Sequence, residues 1–264
     1  MTRPVSPLYR DIPSTVSSMV SASIDRACGN ADKHPLVFFR ADDIGIPSRQ
    51  FLRLAACFRK HRMPLCLAVV PSWVTASRFT ELYRQLDKTN SQWCWHQHGA
   101  THRNYEPQGK KQEFGPSRNR EDVEKSIAHG CRRLQEIVGD QFHKIFTPPW
   151  NRCSPASLQT LVELKFLAIS RFGQPNSAAP CNLPDFYVNV DLHTRKEKDP
   201  RTALDNLLIE LERGIMSGRC GIMIHHQRMN RAAFDLLDLL LEKIRYEKKL
   251  IPVTFRDLLQ HPSG

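Results

Sequence analysis

Along this chain, short, largely apolar runs alternate with longer stretches in which apolar residues recur every three to four positions. Residues 36–42, 63–70, 92–97, 144–147, 166–170, 186–190, 221–224 and 250–255 read as strands, most of them apolar enough to be buried. Between them lie helical patterns at 75–86, 121–138 and 231–248, with a further one opening near Ser48, where Phe51, Leu52, Ala55 and Phe58 share a face. Ser154-Pro155 and Asp199-Pro200 each open another helix, Ser154 as a cap with proline in the first turn. Gly139 is expected to close its helix with a left-handed cap, and the polar stretch 102–118 reads as a loop.

This alternation predicts seven or eight β/α units without an internal linker or repeat, hence an α/β protein built as a single distorted (β/α)7-8 barrel. Residues 1–34, with a helix at 14–27, form an N-terminal extension, and 35–261 form the barrel domain.

Composition changes this picture little. The longest apolar runs, such as 65–70, fall far short of the roughly 20 residues needed to cross a membrane. The first residues contain no continuous hydrophobic region, so a cytoplasmic protein is expected. The eight cysteines are scattered without a CxxC pair and read as reduced, mostly buried thiols rather than a disulfide or zinc framework. A formal charge of +11 invites a nucleic-acid partner, but the Lys and Arg residues spread over nearly every predicted helix and no nucleic-acid-binding signature accompanies them. A solvated basic surface is expected instead. Its sharper form is contact with an anionic glycan, a sugar nucleotide or an acidic membrane surface.

The reactive side chains cluster at strand ends. Asp42 and Asp43 close the first strand, His98 and His102 follow the third, Pro148-Pro149-Trp150 follow the fourth, Asp191 and His193 end the sixth, and His225 ends the seventh. In an α/β barrel these ends share the face on which active sites are assembled. The spacing His98-Gly-Ala-Thr-His102 would put both imidazoles on one side of a helical turn, able to grip one ion. Asp43 would complete a two-His, one-Asp set, and Asp42 would stand beside it as a base. Zinc suits that set best, with iron, cobalt or nickel as alternatives. Trp93, Trp95 and His96 are assigned to packing.

These residues resemble the motifs of the polysaccharide deacetylases of carbohydrate esterase family four. RADDIG is similar to the family's TFDDG, HGATH to H(S/T)xxH, TPPWNR to its RPPY/W motif and IMIHH to the closing LxLH, in the family's order over about 36–259. The resemblance implies Asp42 as general base, Asp43, His98 and His102 as ligands of a divalent metal, and His225 as general acid, with His226 the alternative. It further implies that Pro149 and Trp150, with Asn151 and Arg152 beside them, line a substrate groove. Asp191 stands loosely where an acidic motif tunes the acid. The implied activity is removal of an N-acetyl group from an amino sugar in a polysaccharide, an oligosaccharide or a glycan precursor. A non-sugar amide or imide, or glycan binding without catalysis, are the competing readings. The chain departs from the pattern at Thr147, where the family has an arginine that orients the base. Arg40 and Arg152 are the candidates to replace it. Gly99 stands where Ser or Thr is usual.

Overall fold

The computed structural model describes residues 5–31, 33–86, 92–173 and 178–260. Residues 1–4 and 32 of the expected extension, and residue 261 at the expected domain end, lie outside the described residues. Strands β1 (Leu36–Ile44), β2 (Leu65–Val69), β3 (Trp93–His98), β4 (Phe142–Thr147), β5 (Ala168–Ile169), β6 (Val190–Asp191), β7 (Arg219–Ile224) and β8 (Ile251–Pro252) form one parallel sheet. The order is β5-β4-β3-β2-β1-β7-β6, and β8 pairs with the start of β1. Two isolated parallel bridges, Ile169 to Asp185 and Phe172 to Val188, tie the β5 edge to the segment that continues into β6. The sheet therefore curls into a distorted barrel, with helices α1 (Val16–Gly29), α2 (Arg49–His61), α3 (Ala76–Arg84), α4 (Arg120–Val138), α5 (Pro155–Glu163), α6 (Pro200–Met216), α7 (Arg231–Tyr246) and α8 (Phe255–Gln260) around it.

Local chemistry explains the helix starts. Ser48, Thr75, Asn119, Ser154, Asp199 and Asn230 each accept a hydrogen bond from the third backbone N–H beyond them. Each cap satisfies an amide that the helix leaves orphaned. Helix α1 packs on α6, where the Ser23 hydroxyl meets the Leu208 carbonyl at 3.2 Å and the Glu212 carboxylate at 2.8 Å. The Tyr9 hydroxyl donates to the Leu192 carbonyl at 2.6 Å, tying the N-terminal segment to the barrel.

Three expectations need correcting. The last strand stops at Pro252, because Thr254 and Asp257 form a reciprocal capping box that starts α8 at Phe255. The fifth and sixth strands are only two residues long, their neighbours being held by isolated bridges. Gly139 has φ 64° but ψ −139°, so it leaves α4 by a glycine conformation other than a left-handed helical cap.

Period two along each strand decides what fills the barrel. At the bottom, Phe38, Cys66, Cys94, Ile145 and Ala168 form an apolar cluster, closed by Phe255 and Leu258 of α8. Two residues further along β1 and β3 come Arg40 and His96, buried with Thr147 and Ser170. Another two residues bring Asp42 and His98 to the top. The interior thus turns from apolar to polar toward the strand ends. Trp93 and Trp95 belong to the outer core under the helices, in keeping with a packing role. All eight cysteines are free and six of them are buried. Among the described residues no helix is long and apolar enough to cross a membrane.

Candidate metal and active site

Strict alternation would send Asp43 to the opposite face from Asp42. Asp43 instead takes φ 62°, and the β1–β2 register shifts between Ala41 and Ile44. That bulge turns the second carboxylate toward the same space as the first. A left-handed conformation at a non-glycine residue costs about 1–2 kcal/mol, so the surrounding contacts must hold it.

Arg40, fully buried, forks onto Asp42, with Nε to Oδ1 at 2.8 Å and Nη2 to Oδ2 at 2.9 Å. Its remaining donors reach the Ser170 carbonyl at 3.0 Å, the Ser170 hydroxyl at 2.8 Å and Asn151 Oδ1 at 2.6 Å. Arg40 therefore takes the place left by Thr147, from two residues before its partner, while Arg152 bonds the Lys111 carbonyl at 3.3 Å. Thr147 serves elsewhere: its hydroxyl meets His96 Nε2 at 2.9 Å and its carbonyl meets His98 Nδ1 at 2.9 Å. Burial pushes the Asp42 carboxyl up, but Arg40, with His98 and His225 nearby, outweighs burial and holds it below the usual carboxylate range.

His98 and His102 do not share a helical turn, contrary to the expectation from their spacing. His98 ends β3, Gly99 has φ 60° and His102 has φ 57°, so the imidazoles are brought together by a tight loop. A Cβ on Gly99 would lie 2.3 Å from the Glu113 carboxylate and 2.5 Å from the Pro149 ring, which requires glycine in place of the motif's hydroxyl residue. Glu113, fully buried, accepts from the N–H groups of Ala100 (3.3 Å), Thr101 (2.7 Å) and His102 (3.1 Å), and from the Thr101 hydroxyl (2.9 Å). This residue was not singled out in the sequence. Its only signal there is that it stands next to Phe114 and is, with Glu106, one of just two acids in a loop otherwise rich in Lys, Arg and Gln.

Asp43, His98 and His102 offer one donor atom each, all within 4.8 Å of one another. Asp43 Oδ1 lies 3.5 Å from His98 Nε2 and 3.1 Å from His102 Nε2. Ligands sharing one ion at about 2.1 Å lie about 3.0–3.4 Å apart, so the residues fit a divalent cation. The Thr147 carbonyl accepts from His98 Nδ1, so in the neutral ring Nε2 would carry the lone pair that ligation requires, whereas the protonated ring donates from Nε2 to Asp43. Burial raises the Asp43 carboxyl, but hydrogen bonds from His102 and His98 hold it well below the usual range. Burial lowers His98, and Asp43 and Asp42 more than compensate, raising it.

Opposite Asp42 sits His225, its Nε2 3.9 Å from Asp42 Oδ2. Burial holds this imidazole below its ordinary value, and Asp42, Asp43 and Asp191 only partly offset that. Its backbone N–H donates to His193 Nδ1 at 3.1 Å, which places His193 behind His225, stacked on Tyr9 with centroids 5.5 Å apart. His226 points the other way, edge-on to Phe51. Asp191 accepts from the N–H groups of His193 and Thr194, both at 2.9 Å, and from the Thr194 hydroxyl. Asp191 acts on His225 through its charge rather than by contact.

These groups open into a cavity of about 1300 Å³ lined by Asp42, Asp43, His225 and Asp191 and by Trp150, Asn151 and Arg152. Trp150 and Asn151 have φ 55° and 59°, and the Trp150 ring covers His102 with centroids 4.5 Å apart. Pro149, expected in the groove, is buried against Gly99 instead and supports the ligand loop.

No family model matches the sequence, and no curated protein matches it. Solved structures do. A Mycobacterium smegmatis protein classed by name with polysaccharide deacetylases superimposes with TM-score 0.64 at 16% identity, covering 99% of this chain and 94% of that one. A peptidoglycan N-acetylglucosamine deacetylase gives 0.58 at 14% identity, covering 87% and 89%. A family 4 acetyl xylan esterase from Clostridium thermocellum, solved with a cobalt ion, gives 0.55 at 17% identity, covering 86% and 91%. The chain has the fold of the carbohydrate esterase family 4 polysaccharide deacetylases. At these identities the likeness speaks for the fold.

Proposed function

We propose that the protein is a metal-dependent hydrolase that removes an N-acetyl group from an amino sugar in a polysaccharide, an oligosaccharide or a glycan precursor. One observation carries this reading: a fitted Asp43, His98 and His102 triad opens onto the same cavity as an arginine-clamped carboxylate, Asp42, and a facing imidazole, His225. The fold it shares with named deacetylases supports the substrate class. A divalent cation held by the triad, zinc by the donor set, would polarise an acetamide carbonyl and activate water.

The chain's own residues supply the proton transfers. Asp42, kept ionised by Arg40, takes the proton from the attacking water. An amine anion is a poor leaving group, so nitrogen must be protonated as the C–N bond breaks, and His225 Nε2, on the far side of Asp42, delivers that proton. Asp191 favours the charged form of His225. Trp150, Asn151 and Arg152 form the wall against which the sugar lies. We further propose that residues 1–34 are an extension to a barrel domain over 35–261.

The test is acetate release from N-acetylglucosamine oligomers by zinc-loaded protein, with Asp42→Asn as control. Release that disappears in the variant supports the reading. Zinc-loaded protein that releases no acetate from sugars but hydrolyses simple amides would replace it with the non-sugar alternative.

A further inference from the structure

The charged residues of the cavity do not balance. Each acid in its lining already has partners: Asp42 is clamped by Arg40, Asp43 faces two imidazoles, Asp191 accepts from the His193–Thr194 segment, and Glu197 and Glu210 both hold Arg195. The lining lysines and Arg152 are not matched in this way. Lys110, Lys111, Arg152 and Lys196 have no acidic partner among the described residues. Three of these cations belong to one wall. Arg152 donates to the Lys111 carbonyl, and the two segments are joined by a parallel bridge from Phe114 to Cys153 and by the Ser154 N–H on the Phe114 carbonyl at 2.8 Å.

That wall is built rather than incidental. Asn104 Oδ1 accepts from the Gln112 N–H at 2.9 Å, the Tyr105 N–H meets the Gln112 carbonyl at 3.0 Å, and Glu113 anchors the loop to the metal-ligand segment. Lys110 and Lys111 are thus presented by a loop closed on itself. On the other side, Arg152 directly follows Asn151, whose side chain bonds the arginine that clamps Asp42. Consecutive Cα atoms lie about 3.8 Å apart, so the cationic wall begins one residue from Asn151, which contacts the arginine that clamps Asp42.

We propose that the substrate is an N-acylated amino sugar carrying a phosphate ester, and that Lys110, Lys111 and Arg152 bind the phosphate. This rests on the hydrolase reading above and narrows its substrate class. A carboxylated sugar offers a single negative charge, whereas a phosphate monoester or a diphosphate carries about two, the better match to three cations on one wall. Arg152 supplies planar, paired donors for phosphate oxygens and the lysines supply point charges.

Binding is measured by calorimetry, without turnover, on zinc-loaded and on metal-free protein. The ligands are N-acetylglucosamine, its 1-phosphate, its uridine diphosphate ester, a dodecyl diphosphate ester in detergent, and an N-acetylated sugar acid. The proposal expects at least one phosphorylated sugar to bind ten-fold or more tightly than the neutral sugar, with an affinity that falls as KCl rises. The three phosphorylated ligands separate a free sugar phosphate from a nucleotide-linked or a lipid-linked source. Lys110→Gln with Lys111→Gln, both exposed positions, should lower that affinity about ten-fold and shrink the preference over the neutral sugar, as expected when charge-assisted hydrogen bonds are lost. Equal binding of neutral and phosphorylated sugars overturns the proposal. So does equal binding of the sugar acid, or full phosphate affinity in the double variant. Acetate release from neutral oligomers without a phosphate preference defeats this proposal alone. Phosphate-dependent binding without acetate release defeats only the hydrolase reading.

Discussion

Replacing Arg40 by Gln removes the group that lets a buried carboxylate stay ionised. Asp42 is 2% exposed and loses both forked hydrogen bonds, while Ser170 and Asn151 lose a donor. Breaking a buried ion pair from one side typically costs about 3–5 kcal/mol, because the other charge is left uncompensated. The cost should depend on pH. In the native protein Asp42 titrates below its ordinary value, so its contribution is present above about pH 4 and is lost as pH falls through the folded value. Without Arg40 burial dominates, the folded value rises above the unfolded one, and the contribution changes sign: stability now falls as pH rises past the ordinary carboxylate value. Urea unfolding of metal-free protein at pH 4 and pH 7 reads this directly. The expected deficit of Arg40→Gln is about 3–5 kcal/mol at pH 7 and clearly smaller at pH 4, and adding Asp42→Asn should restore much of it. A deficit under about 1 kcal/mol at pH 7, or one of equal size at both pH values, would refute the clamp.

Glu113→Gln keeps the shape but gives up the carboxylate that gathers three backbone amides and the Thr101 hydroxyl. Zinc affinity measured by chelator competition should fall about 10–100-fold, as when groups that orient metal ligands are removed. His98→Ala should abolish zinc retention after dialysis, whereas His225→Ala should keep the metal and lose turnover, since only the former belongs to the triad. His96 is fully buried and burial holds it at about 3, against 6.5 in the unfolded chain. The unfolded chain protonates first, so stability present above pH 6.5 is lost as pH falls toward 3, by about 2 kcal/mol at pH 5. His96→Gln should therefore flatten the stability profile between pH 6.5 and 5 by up to about 1.4 kcal/mol per pH unit, measured by urea unfolding.

The sequence by itself determined the features that depend on neighbours in the chain. Periodicity marked each β/α unit, Ser48, Ser154 and Asp199 announced helix starts, and the strand ends located where reactive groups gather. The capping box of Thr254 and Asp257 is equally local, but its first residue lies inside the β-prone run 250–255, which hides the helix start. Other features depend on groups that meet only when the barrel closes. The spacing of His98 and His102 suggested a helical turn, yet Glu113, eleven residues beyond His102, shapes a loop instead. Thr147 marked a missing arginine, and whether Arg40 or Arg152 replaced it could not be decided from sequence. Arg40 and Asp42 share a face by period two, but Ser170 and Asn151, more than a hundred residues away in the chain, fix the guanidinium. The bulge that turns Asp43 beside Asp42 depends on the register between β1 and β2. Local propensity sets where elements begin. Which side chains face one another is decided by long-range register and burial, which no window of sequence contains.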